Sequence, residues 1–181
     1  MKVLVGCEFS GVVRDAFRLR GHDAWSSDII DSVSSNEFHL KGDLLSKETL
    51  GHRRWDLIIA FPPCTYLCSS GSRWHKTRQA EQYLAKKFFL AILNLDYPRV
   101  AIENPVGIMS RYAKPDQIIQ PWMFGHGETK STCLWLKGLR PLVAENVVDG
   151  RESRIHRLSP SADRSMIRSL TYTGIAKAMA N

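Results

Sequence analysis

The segment Phe61-Pro62-Pro63-Cys64-Thr65-Tyr66 sets a thiol directly behind a short apolar run, residues 56–61 (DLIIAF). Two prolines stiffen the backbone ahead of it. A thiol so placed can serve as a nucleophile once deprotonated, or it can be a packing residue, since free cysteine is often buried and inert. The segment alone leaves both roles open. A second apolar run, residues 99–102, ends at Glu103-Asn104-Pro105. A carboxyl at a strand mouth can be merely solvated. Beside a cysteine, however, it supplies the proton donor that thiol addition to an electron-poor pyrimidine requires, because charge building on the ring nitrogen must be neutralised as sulfur adds.

Regular elements must bring these groups together. Residues 2–6 read as a strand, and residues 11–20 carry Val12, Val13, Ala16, Phe17 and Leu19 in helical rhythm up to Gly21. Residues 24–27 form the next strand, ending at Asp28; an irregular Ser-rich stretch follows, and Gly42-Asp43 marks a turn. Residues 56–61 suit a central parallel strand buried on both faces. A helix is expected over residues 77–95, with Tyr83, Leu84, Phe88, Ile92 and Leu95 along one side. Residues 99–102 and 131–136 are later strands, residues 141–169 are irregular and basic, and residues 174–180 form a short closing helix. This alternation predicts an α/β fold with a doubly wound, mostly parallel Rossmann-like sheet, whose ligands sit beyond the carboxyl ends of the strands. Asp28, Asp43, Cys64 and Glu103 each fall just after such a strand, so folding gathers them along one edge.

At 181 residues the chain fits one domain. Its 44% hydrophobic and 24% charged residues are the balance of a soluble globular protein. No apolar run suits a bilayer span, and the opening MKVLVGCEFSG meets Glu8 before a signal-peptide core can form, so no membrane is expected and the cytoplasm is the expected setting. There the four cysteines are expected to be free thiols. Cys64 and Cys68 lack a second close pair to complete a zinc site, so no metal is expected. The net charge of +7 favours an anionic partner, with Arg73, His75, Lys76 and Arg78 in one basic stretch and Arg151, Arg154, His156 and Arg157 in another. Either stretch can line a nucleic-acid groove or form a solvated face.

Pro63-Cys64 after one buried strand and Glu103-Asn104 after the next resemble, in order and spacing, the two catalytic motifs of cytosine-5 DNA methyltransferases. The opening VLVGCEFSG resembles that family's loop for S-adenosylmethionine, and residues 171–180 (TYTGIAKAMA) resemble its final helix. The overall pattern resembles small phage-type relatives, which implies a bacterial or phage-infected host cell. The resemblance implies a catalytic set of Cys64, Glu103, Asn104 and Lys130. It implies cofactor contacts from Phe9, Ser10, Gly11, Asp28, Asp43 and Pro62, with Asp28 at the ribose and Asp43 near the adenine. It implies substrate contacts from Pro63, Thr65, Ser70 and Arg73, to DNA presented as a single strand or as a duplex with a flipped base. Cys68, without the Pro-Pro lead, is expected to be a bystander.

The departures are specific. The glycine expected near Val13 is absent, Cys7 stands around the usual first-strand acid with Glu8 beside it, and the arginine motif appears only as Glu128-Thr129-Lys130. Only a few dozen residues separate the strand at 131–136 from the final helix, which leaves no room there for a target-recognition domain and invites a separate specificity partner. Three rival readings follow. They are methylation of an exocyclic amine, modification of a pyrimidine nucleotide at carbon 5, and a non-catalytic nucleic-acid-binding or anti-restriction protein on the same fold.

Overall fold

The computed structural model describes residues 1–69 and 77–181. Ser70, Arg73, Trp74, His75 and Lys76 therefore lie outside the described residues. One sheet contains β1 (Lys2–Gly6), β2 (Asp23–Asp28), β3 (His39–Lys41), β4 (Leu57–Ala60), β5 (Val100–Pro105), β6 (Gln117–Ile119) and β7 (Thr132–Lys137). Its order is β3-β2-β1-β4-β5-β7-β6. The α-helices among the described residues are α1 (Val12–Leu19), α2 (Lys47–Leu50), α3 (Gln79–Leu93), α4 (Arg154–Arg157), α5 (Arg164–Ser169) and α6 (Thr173–Met179). The strands β1 to β5 pair in parallel, and β7 runs antiparallel to both β5 and β6. The chain winds outward from β1 through β2 and β3, then returns to the other side of β1 with β4. The topological switch therefore lies between β1 and β4, where doubly wound sheets open a crevice.

Two-residue alternation divides the core between the faces. Leu4, Ile58, Ala60 and Ile102 pack with Trp55, Trp135 and the α3 (Gln79–Leu93) residues Phe89 and Ile92. Val3, Val5, Leu57, Ile59 and Ala101 turn the other way. They meet Val13 and Phe17 of α1 (Val12–Leu19) and Ala176 of the closing helix Thr173–Met179. Both faces of β1 and β4 are thus covered by helices, which explains why these strands read as continuous apolar runs.

The structure departs from the expected elements in several places. Residues 141–169, expected to be irregular, contain the short helices Arg154–Arg157 and Arg164–Ser169. The Ser-rich stretch leads into β3, a three-residue edge strand paired to β2, and β6 adds another on the far edge; both are too short to show a period. The face expected on α3 holds only in its second half: Ile92 is buried, with Phe88 and Leu95 packed on the same core beside Phe89, whereas Tyr83 and Leu84 are 59% and 62% exposed. A helix following a parallel strand starts at the carboxyl edge of the sheet and runs back along it, so its first turns have no sheet to cover. Finally, Glu103 and Asn104 lie inside β5, which continues to Pro105, because β7 extends the ladder opposite them.

Candidate active site

Beyond β4 the chain passes Pro62, which is buried, and curls at Cys64, whose carbonyl accepts the backbone N–H groups of Leu67 and Cys68, each at 2.9 Å. Leu67 sinks fully into the core and anchors the turn. The neighbouring segment behind β5 holds the turn from the other side. Ile108 N–H donates to the Leu67 carbonyl at 2.8 Å, Ser69 N–H donates to the Val106 carbonyl at 3.1 Å, and Cys68 bridges Gly107. Asn104, buried in β5, donates from Nδ2 to the Pro62 carbonyl at 2.7 Å. That bond fastens the Pro-Pro lead to the strand carrying Glu103, while Asn104 Oδ1 is buried with no hydrogen-bond partner among the described residues. Asn104 is thereby a brace for the Cys64 loop. Pro63 and Thr65 flank it with exposed side chains.

The Cys64 thiol, half-buried, sits among three groups that set its ionisation. Its hydrogen bond with Cys68 pushes the pKa up most, burial and the Glu103 carboxylate add to that, and the Lys130 ammonium opposes them. Cys68 is thus no bystander but a contact of Cys64. Burial pushes Glu103 up as well, held back by Lys130 and the Thr132 hydroxyl. Lys130 is steadied by donating from Nζ to the Arg168 carbonyl at 2.9 Å, in the helix α5 (Arg164–Ser169); its Nζ lies 5.9 Å from the Tyr172 ring centroid. Cys64, Glu103 and Lys130 therefore form one electrostatic cluster, with Asn104 bracing it.

The cluster has a consequence that opposite readouts can test. A Glu103 carboxylate disfavours the Cys64 thiolate, so Glu103→Gln is expected to speed alkylation of Cys64 by iodoacetamide near neutral pH, whereas Lys130→Ala slows it. Residue-resolved peptide mass spectrometry reads the rates at Cys64 and Cys68 separately. Unchanged Cys64 rates in both variants would dissolve the cluster.

A second group of predicted residues gathers at the carboxyl ends of β1, β2 and β3. The Cys7 thiol is pushed up to about 12 by burial, then by the charges of Asp28 and Asp43, which both reach it. Asp28 is half-buried and burial raises its carboxyl, opposed by the backbone N–H groups of Ile30 and Ile29. Asp43 is exposed and accepts the Leu45 N–H at 2.8 Å. Phe9, half-buried, accepts the Val33 N–H on its carbonyl at 2.9 Å, which ties the β1 loop to the loop behind β2. Buried Ser10 donates to Glu8 at 3.3 Å. Gly11 caps α1 in the left-handed region with φ +74, and a Cβ there would meet the Arg14 guanidinium and the Ser34 hydroxyl. Neither constraint admits a side chain easily.

Sequence reasoning missed the two residues that shape this end. Glu8, buried, accepts the N–H groups of Val13 at 2.6 Å and Arg14 at 3.2 Å. Its pKa rises to about 7 because burial outweighs those bonds and the Arg14 charge. The chain's own carboxylate therefore fills the α1 N-terminus, the place where such folds usually hold a ligand phosphate. Arg14, also buried, bonds Ser26, Ser34, the Ser35 carbonyl and Asp15, pinning the loop behind β2. Ile29 and Ile30 lie exposed beside Asp28. The trace of Glu8 in the sequence is an acid just ahead of a helix start without a capping side chain, a pattern too common to assign the cap by itself.

In the second basic stretch, Arg154 is committed to an ion pair with buried Glu128, and Arg151 covers Trp122 at 3.9 Å. His156 and Arg157 are exposed. Among the described residues no group of three or more His, Cys, Asp or Glu can hold a metal ion, and no helix is long and apolar enough to cross a membrane.

No family model matches the sequence, and no curated protein matches it. Solved structures do. A protein of an E. coli prophage, titled as a DNA modification methyltransferase, aligns at 18% identity and TM-score 0.49 over 75% of this chain and 46% of that one. The S. pombe Dnmt2 methyltransferase aligns at 16% identity and TM-score 0.51 over 78% of this chain and 51% of that one. The chain spans about half the length of these two structures. At such identities the likeness is one of fold, and the doubly wound, mostly parallel sheet described above is the Rossmann-like fold that the Dnmt2 methyltransferase shares.

Proposed function

We propose that the chain methylates carbon 5 of cytosine in DNA through a covalent bond from Cys64, within a single catalytic domain that works in the cytoplasm. The observation that carries this reading is the meeting of Cys64, Glu103 and Lys130 at the ends of β4 and β5. The raised Glu103 pKa suits a proton donor, whereas the raised Cys64 pKa means that the thiol must first give up its proton, which Lys130 favours. With its proton on, Glu103 no longer repels a thiolate at Cys64, and that same proton is the one to give the ring nitrogen. Cys64 loses its thiol proton to solvent, its sulfur bonds carbon 6 as the carbon 5–carbon 6 double bond opens, Glu103 protonates the ring nitrogen, and carbon 5 becomes nucleophilic. After carbon 5 is alkylated it loses its proton to a base, the carbon–sulfur bond breaks with sulfur leaving as thiolate, the ring nitrogen returns its proton to Glu103, and aromaticity returns. Lys130 holds the negative charge that accumulates beside the ring. The target base must leave the duplex stack or be offered in a single strand.

The ends of β1, β2 and β3 fit S-adenosylmethionine. Ser27 Oγ is buried there with no hydrogen-bond partner among the described residues, and Asp28 and Asp43 offer acceptors for ribose hydroxyls and an adenine amine. Phe9, Ile29 and Ile30 provide apolar surface for a flat ring, with Ser10, Gly11 and Pro62 closing the crevice. Glu8 in the helix terminus repels a phosphate, which this cofactor lacks. When bound, it supplies an electrophilic methyl group on a sulfonium sulfur. Exposed His156 and Arg157, with the positive net charge, favour the DNA backbone as partner. A separate specificity protein remains compatible with this arrangement.

Incubating cytosine-containing DNA with the protein and S-adenosylmethionine is expected to yield 5-methyldeoxycytidine by nucleoside mass spectrometry. Asp28→Ala is expected to weaken calorimetric cofactor binding by about tenfold, the loss of one or two buried hydrogen bonds. Methylation on the exocyclic amine instead would overturn the chemistry proposed, and unchanged binding would remove Asp28 from the site.

A further inference from the structure

The exposed face at the start of α3 borders an open hollow of about 230 Å³, lined by Gln79, Gln82, Tyr83, Lys86 and Tyr112. Its walls grow out of the two segments that build the candidate active site. Gln82 Nε2 donates at 3.2 Å to the carbonyl of Tyr66, two residues past Cys64. Tyr112 follows the 3-10 helix Ile108–Arg111, whose first residue is bonded to Leu67. The hollow thus lies at the carboxyl edge of β4 and β5, beside the loop that carries Cys64.

Its lining is unusual for a solvated helix face. Two tyrosines, 59% and 56% exposed, flank one ammonium: Lys86 Nζ lies 5.7 Å from the Tyr83 ring centroid and 4.5 Å from that of Tyr112. The Gln79 amide has no partner among the described residues. Aromatic faces stack any base, a lysine takes a phosphate, and primary amides read base edges with both a donor and an acceptor. An apolar partner would leave the ammonium and the amides unmatched.

We propose that this hollow holds a nucleotide neighbouring the target cytosine on the substrate strand. The inference rests on the reading of DNA as substrate. The base lies against Tyr83 and Tyr112, Lys86 shifts from the rings to the adjacent phosphate, and Gln79 and Gln82 favour some bases over others. The site so gives the protein a flanking-base preference of its own.

The test uses the full chain and a fluorescein-labelled single strand with one cytosine in randomised flanks. Tyr83→Ala and Tyr112→Ala are each expected to weaken binding by about tenfold, as loss of one stacking platform does. Tyr83→Phe keeps the ring and is expected to bind like the wild type. Because both tyrosines face solvent, thermal melts should be unchanged, which separates lost binding from lost folding. Sequencing of the methylated products is expected to show a flank preference that Gln79→Ala flattens. Wild-type affinity and an unaltered flank preference in Tyr83→Ala, Tyr112→Ala and Gln79→Ala would overturn this inference while leaving DNA methylation standing. A wild-type chain that binds no strand, yet turns over deoxycytidine nucleotides, would overturn both the inference and DNA as substrate.

Discussion

DNA carrying 5-fluorocytosine is expected to leave the protein covalently joined to the strand in the presence of S-adenosylmethionine, as a denaturation-resistant band on a gel. Fluorine at carbon 5 cannot leave as a proton, so the reaction stalls after alkylation with the Cys64–carbon 6 bond intact. Cys64→Ser is expected to abolish the adduct, because a serine hydroxyl has neither the acidity nor the nucleophilicity of a thiol. Glu103→Gln is expected to slow adduct formation by roughly a hundredfold or more, the usual worth of a positioned general acid. The same substitution speeds alkylation of Cys64 in the free protein. That opposition of signs separates a proton donor to substrate from a residue that merely tunes the thiol. The pH dependence has a definite direction: the neighbours of Cys64 raise its pKa, so trapping should accelerate as pH rises from neutrality. Cys68→Ser keeps a hydrogen-bonding group beside Cys64 and is expected to trap. Methylation without any adduct, or an active Cys64→Ser variant, would sink the cytosine-5 mechanism and put amine methylation in its place.

What could be read in advance divides along physical lines. The central strands were legible because burial on both faces writes continuous apolar runs, as in LIIA of β4. Strand ends then placed Cys64 and Asp28 without further information. Glu103 was found but set one element too late, since the ladder from β7 that keeps β5 going past Ile102 is a pairing between distant segments. The first turns of α3 were misassigned for the same reason: Tyr83 and Leu84 are apolar at helical spacing, but where the sheet stops is a tertiary fact. Glu8 and Cys68 escaped because their roles depend on close approach rather than period. A carboxylate at an otherwise uncapped helix and a cysteine one turn past another are ordinary in sequence. Only the fold turns the first into a helix cap and the second into a neighbour of the nucleophile.

That dependence on close approach gives Gly107 an effect out of proportion to its size. Its backbone is extended, at φ −173, so any residue could adopt it; the demand comes from its surroundings. A Cβ on Gly107 would lie 2.0 Å from the Leu67 carbonyl oxygen and 2.8 Å from the Cys68 Cα, both backbone atoms that no rotamer change can move. Gly107→Ala must therefore push the Cys64 turn away from β5, breaking the bridge at Cys68 and the bonds from Ile108 and Ser69. Overpacking of this kind costs roughly 1–3 kcal/mol, visible as a lowered melting temperature. The loss of adduct formation should be much larger than the unfolded fraction explains. Displacing a reacting atom by about 1 Å costs on the order of a hundredfold in rate. Gly150→Ala is the matched control, because a Cβ there meets nothing within 4 Å, and it should melt and trap like the wild type. If Gly107→Ala is destabilised yet traps at the wild-type rate per folded molecule, the contact between the two loops is structural only. The placement of Cys64 would then have to come from Asn104 and the Pro62-Pro63 lead alone.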